Sequence, residues 1–162
     1  TKLLRPALED SADGRVVWVS SGGMYTRRLD LRDPQWTRRV SYDGVLAYAE
    51  TKRAQVVLSE LWADALRDTR VVVNAMHPGW ADTPSVRTSL PGFHRLARAI
   101  LRTPAEGADT VIWLAAAERA RDRRGGFFLD RVARWTHFLP WTRETEEDRA
   151  ALWALCERLT PV

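Results

Sequence analysis

Arg15-Val16-Val17-Trp18-Val19-Ser20, entered through the turn pair Asp13-Gly14, decides how this chain folds. The run is apolar, rich in β-branched residues, and lacks the polar/apolar alternation of a half-solvated strand. It reads as a strand covered on both faces, the pattern of parallel sheets. Arg70-Val71-Val72-Val73-Asn74-Ala75 repeats the pattern. Between the two, Gly44 to Leu66 is helical, with Ala54, Leu58, Leu61 and Ala65 as its apolar stripe. Strand, long helix and strand make a βαβ unit, whose crossover is right-handed by the general rule.

Outward from that unit, Met24 to Asp43 is polar and arginine-rich and reads as a long loop. Thr1 to Leu8 is amphipathic and reads as the last turns of a helix. His77-Pro78-Gly79 breaks the chain after the second strand. The stretch from Trp80 to Arg102 is mixed, with a short helix expected over Phe93 to Leu101. Thr103, Pro104 and Glu106 form a helix start with a capping box. That helix would bury Ala108, Val111, Ile112 and Ala115, and Arg119, Arg121, Arg123 and Arg124 would complement its C-terminal dipole. Gly125-Gly126 stops it. Phe127 to Leu129 reads as a third strand. After a loop containing Trp and Pro, a last helix runs from about Glu144 to Leu159, with Leu152, Leu155 and Leu159 inward. The class is α/β, with about three strands and flanking helices.

Composition narrows the function. The chain has 162 residues, 45% of them apolar and 28% charged, which suits one domain with a real core. A net charge of +4 is modest. No basic block interleaved with aromatics is read in it, so no nucleic-acid partner is expected. The lone Cys156 excludes an internal disulfide and fits a reducing, cytoplasmic setting. The longest apolar runs, such as Val111 to Ala117, are too short to span a bilayer. His77, His94, His137 and Cys156 lack metal-ligand spacing, so no metal is expected.

The chemistry centres on Tyr48-Ala49-Glu50-Thr51-Lys52. Residues four apart share a helix face, which sets an ammonium beside a phenol. A fixed cation favours the phenolate and makes tyrosine a usable acid or base near neutral pH. Lys2 and Lys52 are the only lysines among twenty-five basic residues. A lysine kept at this position amid arginines suits a compact point charge rather than a planar fork. The plain alternative is a half-buried tyrosine with a solvated lysine. In open parallel sheets, ligands bind beyond the carboxyl ends of strands. Ser20-Ser21-Gly22-Gly23 and His77-Pro78-Gly79-Trp80-Ala81-Asp82-Thr83 close the two strands there, flanking the helix that carries Tyr48 and Lys52.

With Ser20-Ser21 at a strand end, Tyr48-x-x-x-Lys52 on the helix and Pro78-Gly79-x-x-x-Thr83 after the next strand, the chain resembles the C-terminal half of a short-chain dehydrogenase/reductase. The flanking residues are similar to the retinol-dehydrogenase-like branch. The resemblance implies the C-terminal part of a Rossmann-type, doubly wound parallel sheet and an NAD(P)-dependent interconversion of alcohol and carbonyl. Under it, Tyr48 exchanges the substrate proton and Ser21 (with Ser20 as its rival) holds the substrate oxygen. Lys52 lowers the pKa of Tyr48 and binds the nicotinamide ribose, while Pro78, Gly79, Trp80 and Thr83 shape the nicotinamide pocket. Thr83 as a helix cap is the plain alternative. Pro84, Leu90, Phe93 and Leu96 suggest an apolar pocket for a lipophilic substrate.

Two departures qualify the resemblance. The separation of Ser21 from Tyr48 is about twice the usual one, which an inserted loop explains. No glycine-rich dinucleotide fingerprint is present, and Gly22-Gly23 does not meet its description. Residues 1–162 therefore read as a single truncated domain lacking the N-terminal dinucleotide-binding half. A non-catalytic remnant or a partner-dependent domain is the competing function, and an epimerase or dehydratase with a resident cofactor is a further one. The first strand should be an open edge, which favours association with a missing half or a second copy.

Overall fold

A computed structural model describes residues 1–89, 92, 95 and 100–161. Its centre is a four-stranded sheet in the order β1 (Arg15–Val19), β2 (Val72–Met76), β3 (Phe127–Leu129) and β4 (Val132–Arg134). The first three strands are parallel, and β4 turns back antiparallel on β3. The β1/β2 register pairs Arg15 with Val72 and Val19 with Met76. The βαβ unit is present, with helix α2 spanning Gly44–Ala65.

Side chains alternate between the two faces of the sheet. Val73, Ala75 and Phe127 pack with Trp18 towards α2, together with Val56, Ala63 and Leu66. Met76 and Phe128 pack with Val17 against Leu114 of helix α4 (Pro104–Ala116). Helix α5 (Glu146–Leu159) lies on α2, where Trp153 and Trp62 meet with ring centroids 4.9 Å apart. Two shorter helices among the described residues are α1 (Arg5–Asp10) and α3 (Pro84–Ser89).

Caps explain the helix starts. Asp43 Oδ1 accepts from the Val45 and Leu46 amides at 3.0 Å, which opens α2 directly after the long loop. The expected capping box of Thr103 and Glu106 is formed at α4. Thr145 and Asp148 form a second one that starts α5. That box places the helix start two residues beyond the expected Glu144.

Several expectations are corrected. Strand β1 has a helix over each face, with Trp18 towards α2 and Val17 towards α4, yet it is only partly buried, because among the described residues it pairs only with β2 and leaves an open edge. Helix α2 buries Ala49, Arg53, Val56, Val57 and Ala63, and Ala65 is exposed. In α4 the buried positions are Gly107, Thr110 and Leu114, which leaves Ile112 and Ala115 in solvent. In both helices the buried face differs from the apolar stripe, because polar or small residues occupy buried positions. Leu159 of α5 is exposed. The C-terminal carbonyls of α4 are bonded by Arg15, which donates to Leu114 and Ala117. Arg124, expected to serve α4, instead bonds the carbonyls of Leu66, Arg67 and Thr69 at the end of α2. The fourth strand was not anticipated. Most of the helix expected over 93–101, with Leu90, Phe93, Leu96 and His94, lies outside the described residues.

Candidate functional site

The site lies beyond the carboxyl ends of β1 and β2. The Ser20 amide donates to the Met76 carbonyl, the last rung between these strands (2.7 Å). Its hydroxyl is buried and donates to the Lys52 carbonyl at 2.8 Å, fastening the end of β1 to the first half of α2. Ser20 is thus spent on structure. Ser21, one residue on, caps the 3-10 turn Gly22–Thr26 by accepting from the Gly23 amide at 3.2 Å. As acceptor there, its hydroxyl keeps a proton for another partner.

The next groups gather around Gly22 and Gly23 at ordinary contact distances. A Cβ on Gly23 would stand 3.7 Å from Ser21 Oγ and 3.8 Å from Tyr48 Cε1. A Cβ on Gly22 would stand 3.7 Å from the His77 ring. Ser21 and Tyr48 therefore flank one point, and His77 comes in from β2. Tyr48 is 51% exposed, with its phenol open to a ligand.

Lys52 Nζ sits 5.4 Å from the centre of the Tyr48 ring. It donates to the Val19 carbonyl and to Gln55 Oε1, each at 3.1 Å. Both acceptors are neutral, so two of its three protons are held without cancelling its charge. Burial alone pulls its pKa below the ordinary lysine value. Gln55 was not anticipated; its position three residues after Lys52, on the same helix face, is the signal that pointed to it.

On the β2 side, the Gly79 amide donates to His77 Nδ1 at 3.2 Å, and Gly79 has a φ of 73°. His77 stacks on Phe127, and burial, with the charge of Arg102 second, pulls its pKa down. Arg102 covers the turn: it donates to the Pro78 carbonyl and forms a two-pronged pair with Asp130 at 2.5 and 2.9 Å. A backbone bridge joins Ala81 to Arg102. Trp80 is half exposed at this rim. Thr83 Oγ1 accepts from the Val86 amide at 3.4 Å, so Thr83 does cap α3, as the plain alternative held. Arg102 and Asp130 were not read from the sequence. Asp130-Arg131 is a two-residue hairpin turn with both residues at positive φ, a common hairpin geometry, but it lacks the glycine that usually marks one, which hides the turn that aims Asp130.

Ser21, Tyr48 and Lys52 are thus gathered at one point. Pro78, Gly79, Trp80 and Thr83 form a second group at the end of β2, linked to the first through His77. Among the described residues no cluster of His, Cys, Asp or Glu could hold a metal ion, and no helix is long and apolar enough to cross a membrane. For a nicotinamide cofactor, the free third proton of Lys52 and the open phenol of Tyr48 fit the nicotinamide end.

These residues meet beyond the carboxyl ends of parallel strands in an α/β fold, and similarity to known proteins gives the family. No family model matches the chain. It is 50% identical to bovine dehydrogenase/reductase SDR family member 12 over 144 residues, covering 88% of this chain and 44% of that protein. It is 33% identical to human retinol dehydrogenase 14 over 141 residues, covering 80% and 40% of the two chains. The solved 3-oxoacyl-[acyl-carrier protein] reductase of Brucella melitensis with bound NAD superposes with a TM-score of 0.52 at 27% identity, over 78% of this chain and 42% of the other. The chain is homologous to part of the short-chain dehydrogenases/reductases, among them retinol dehydrogenases, and spans under half the length of these relatives.

Proposed function

We propose that this chain carries the catalytic residues of an NAD(P)-dependent oxidoreductase that interconverts a lipophilic alcohol and its carbonyl compound. The observation that carries the reading is Lys52 Nζ held by two neutral acceptors 5.4 Å from the Tyr48 ring, with the Ser21 hydroxyl and the Tyr48 ring beside the same face of Gly23. Tyr48 passes the proton to or from the substrate oxygen. Ser21 donates its free proton to that same oxygen and holds it beside the phenol. Lys52 stabilises the phenolate and offers its third proton to the cofactor's ribose. Pro78, Gly79, Trp80 and Thr83 wall the nicotinamide side. The cofactor supplies the hydride chemistry. Relatives named retinol dehydrogenases support a lipophilic substrate.

A second reading, a domain that binds no cofactor by itself, is supported by the lack of a glycine-rich fingerprint and by β1 standing at the sheet edge. Fluorescence titration with NADH and NADPH separates the two. Micromolar affinity and turnover of a long-chain aldehyde support the first. No binding by this chain, with binding and turnover regained when a glycine-rich βαβ half is supplied, supports the second.

A further inference from the structure

The segment Arg131-Val132-Ala133-Arg134-Trp135-Thr136-His137-Phe138-Leu139-Pro140-Trp141-Thr142-Arg143 holds three arginines, three large aromatics and no acid. It corrects the expectation that no basic stretch is interleaved with aromatics, which the whole-chain charge of +4 conceals. Folding does not bury these rings. Trp135 is 76% exposed, Phe138 69% and Trp141 72%. Isolated exposed apolar residues are ordinary, but several within one short segment mark an interaction site.

The segment is held in this form. Tyr25 donates its hydroxyl to the Trp135 carbonyl at 2.7 Å and stacks on Phe138 at 4.2 Å. The Thr142 amide and hydroxyl both bond the Leu139 carbonyl, closing the turn that carries Trp141. Arg134, Trp135, His137 and Arg143 line one open hollow of about 400 Å3. Neither Arg134 nor Arg143 forms an ion pair among the described residues, whereas Glu60, the one carboxylate of the hollow, is bonded to Arg149 at 2.7 Å. The hollow thus offers unspent positive charge beside the exposed Trp135.

We propose that this face docks on an anionic lipid bilayer, with a lipid phosphate between Arg134 and Arg143 and the rings of Trp135, Phe138 and Trp141 at headgroup depth. Tryptophan suits that boundary because its ring is apolar and its N–H is polar. Arginine suits it because the guanidinium grips phosphate with two donors and draws further attraction from an anionic surface. Tyr25 ties the face to the candidate site, since its ring also meets His77 edge-on at 6.4 Å. The face adjoins β4, at the opposite edge of the sheet from β1. The proposal stands independently of the oxidoreductase reading.

Co-sedimentation of the 162-residue chain with phosphatidylcholine vesicles, with and without phosphatidylserine, tests it. Binding should require phosphatidylserine and weaken with salt. It should fall about tenfold or more in Arg134→Glu/Arg143→Glu and comparably in Trp135→Ala/Trp141→Ala, with circular dichroism unchanged. Four results would overturn the proposal. One is no vesicle binding at all. Another is equal binding to both vesicles that the variants leave intact. A third is concentration-dependent dimers, seen by light scattering and dissolved by Trp135→Ala/Trp141→Ala, without vesicle binding. The last is capture of inorganic phosphate or a single-stranded oligonucleotide where vesicles are ignored.

Discussion

Lys52 holds its ammonium over Tyr48 through two neutral acceptors, the Val19 carbonyl and Gln55 Oε1, and not through a carboxylate. A carboxylate there would raise the lysine pKa and cancel its field at the phenol. Here only burial acts, and it lowers that pKa below 10.5. Between the folded and unfolded values the unfolded chain binds more protons, so this group makes stability rise with pH through that window. With only two lysines in the chain, nitrogen NMR of the side-chain amines can follow Lys52 directly. It should titrate below 10.5, and Gln55→Glu should move it upward. An unmoved or lower value in Gln55→Glu would show that Gln55 does not hold the ammonium.

Tyr48→Phe removes only a phenolic oxygen at a half-exposed position. Stability should change by no more than ~0.5 kcal/mol. Turnover in the cofactor-competent protein should fall by ~100- to 10,000-fold, the usual value of a positioned acid or base. A matching loss of thermal stability would mean that the tyrosine is structural.

How much of this was legible in sequence differs by residue. Val16, Val17, Val72 and Val73 announce their strands because a parallel strand buried among neighbours leaves a continuous apolar run. Tyr48 and Lys52 announce their helix face through spacing alone. Arg53 shows where such reading stops. It is fully buried on α2, at a position where periodicity asks for an apolar residue. The groups that make it tolerable, Glu144 and the carbonyls of Arg27 and Thr136, come from distant parts of the chain. No local pattern encodes a partner ninety residues away. The Arg102–Asp130 pair was invisible for the same reason, and the exposed face of α4 was misassigned because Gly107 and Thr110 are buried for their small size.

That buried pair gives a stability prediction. Arg53 Nε lies 3.4 Å from Glu144 Oε1, and both side chains are almost wholly out of water. Removing one partner strands a buried charge, so Arg53→Met or Glu144→Leu should each cost about 3–5 kcal/mol. Removing both should cost clearly less than the sum, since no lone charge remains. Urea denaturation of the two single variants and the double variant measures this. Additive losses would show that the two charges do not support one another.

Gly79→Ala brings two costs at one position, and they can be separated. At a φ of 73° an alanine loses about 1–2 kcal/mol to backbone strain. Its Cβ would also stand 2.8 Å from Arg102 Cζ, too close for the guanidinium to remain over the turn. Arg102 is a flexible side chain and will yield, and yielding breaks its two bonds to Asp130. The effect should therefore be larger in the native background than in Arg102→Ala, where only the strain is left. A pH signature accompanies it. The bond from Arg102 is the main reason that the Asp130 carboxyl titrates below 3.8. A carboxyl with a depressed folded pKa stabilises the fold above its unfolded value, and that contribution fades as pH falls towards the folded one. Gly79→Ala and Arg102→Ala should each flatten the stability profile below 3.8, and together should flatten it no further. Carbon NMR of the Asp130 carboxyl would show its titration returning to the ordinary range in both variants, and an unmoved titration in Gly79→Ala would mean that Arg102 keeps its grip despite the new methyl group.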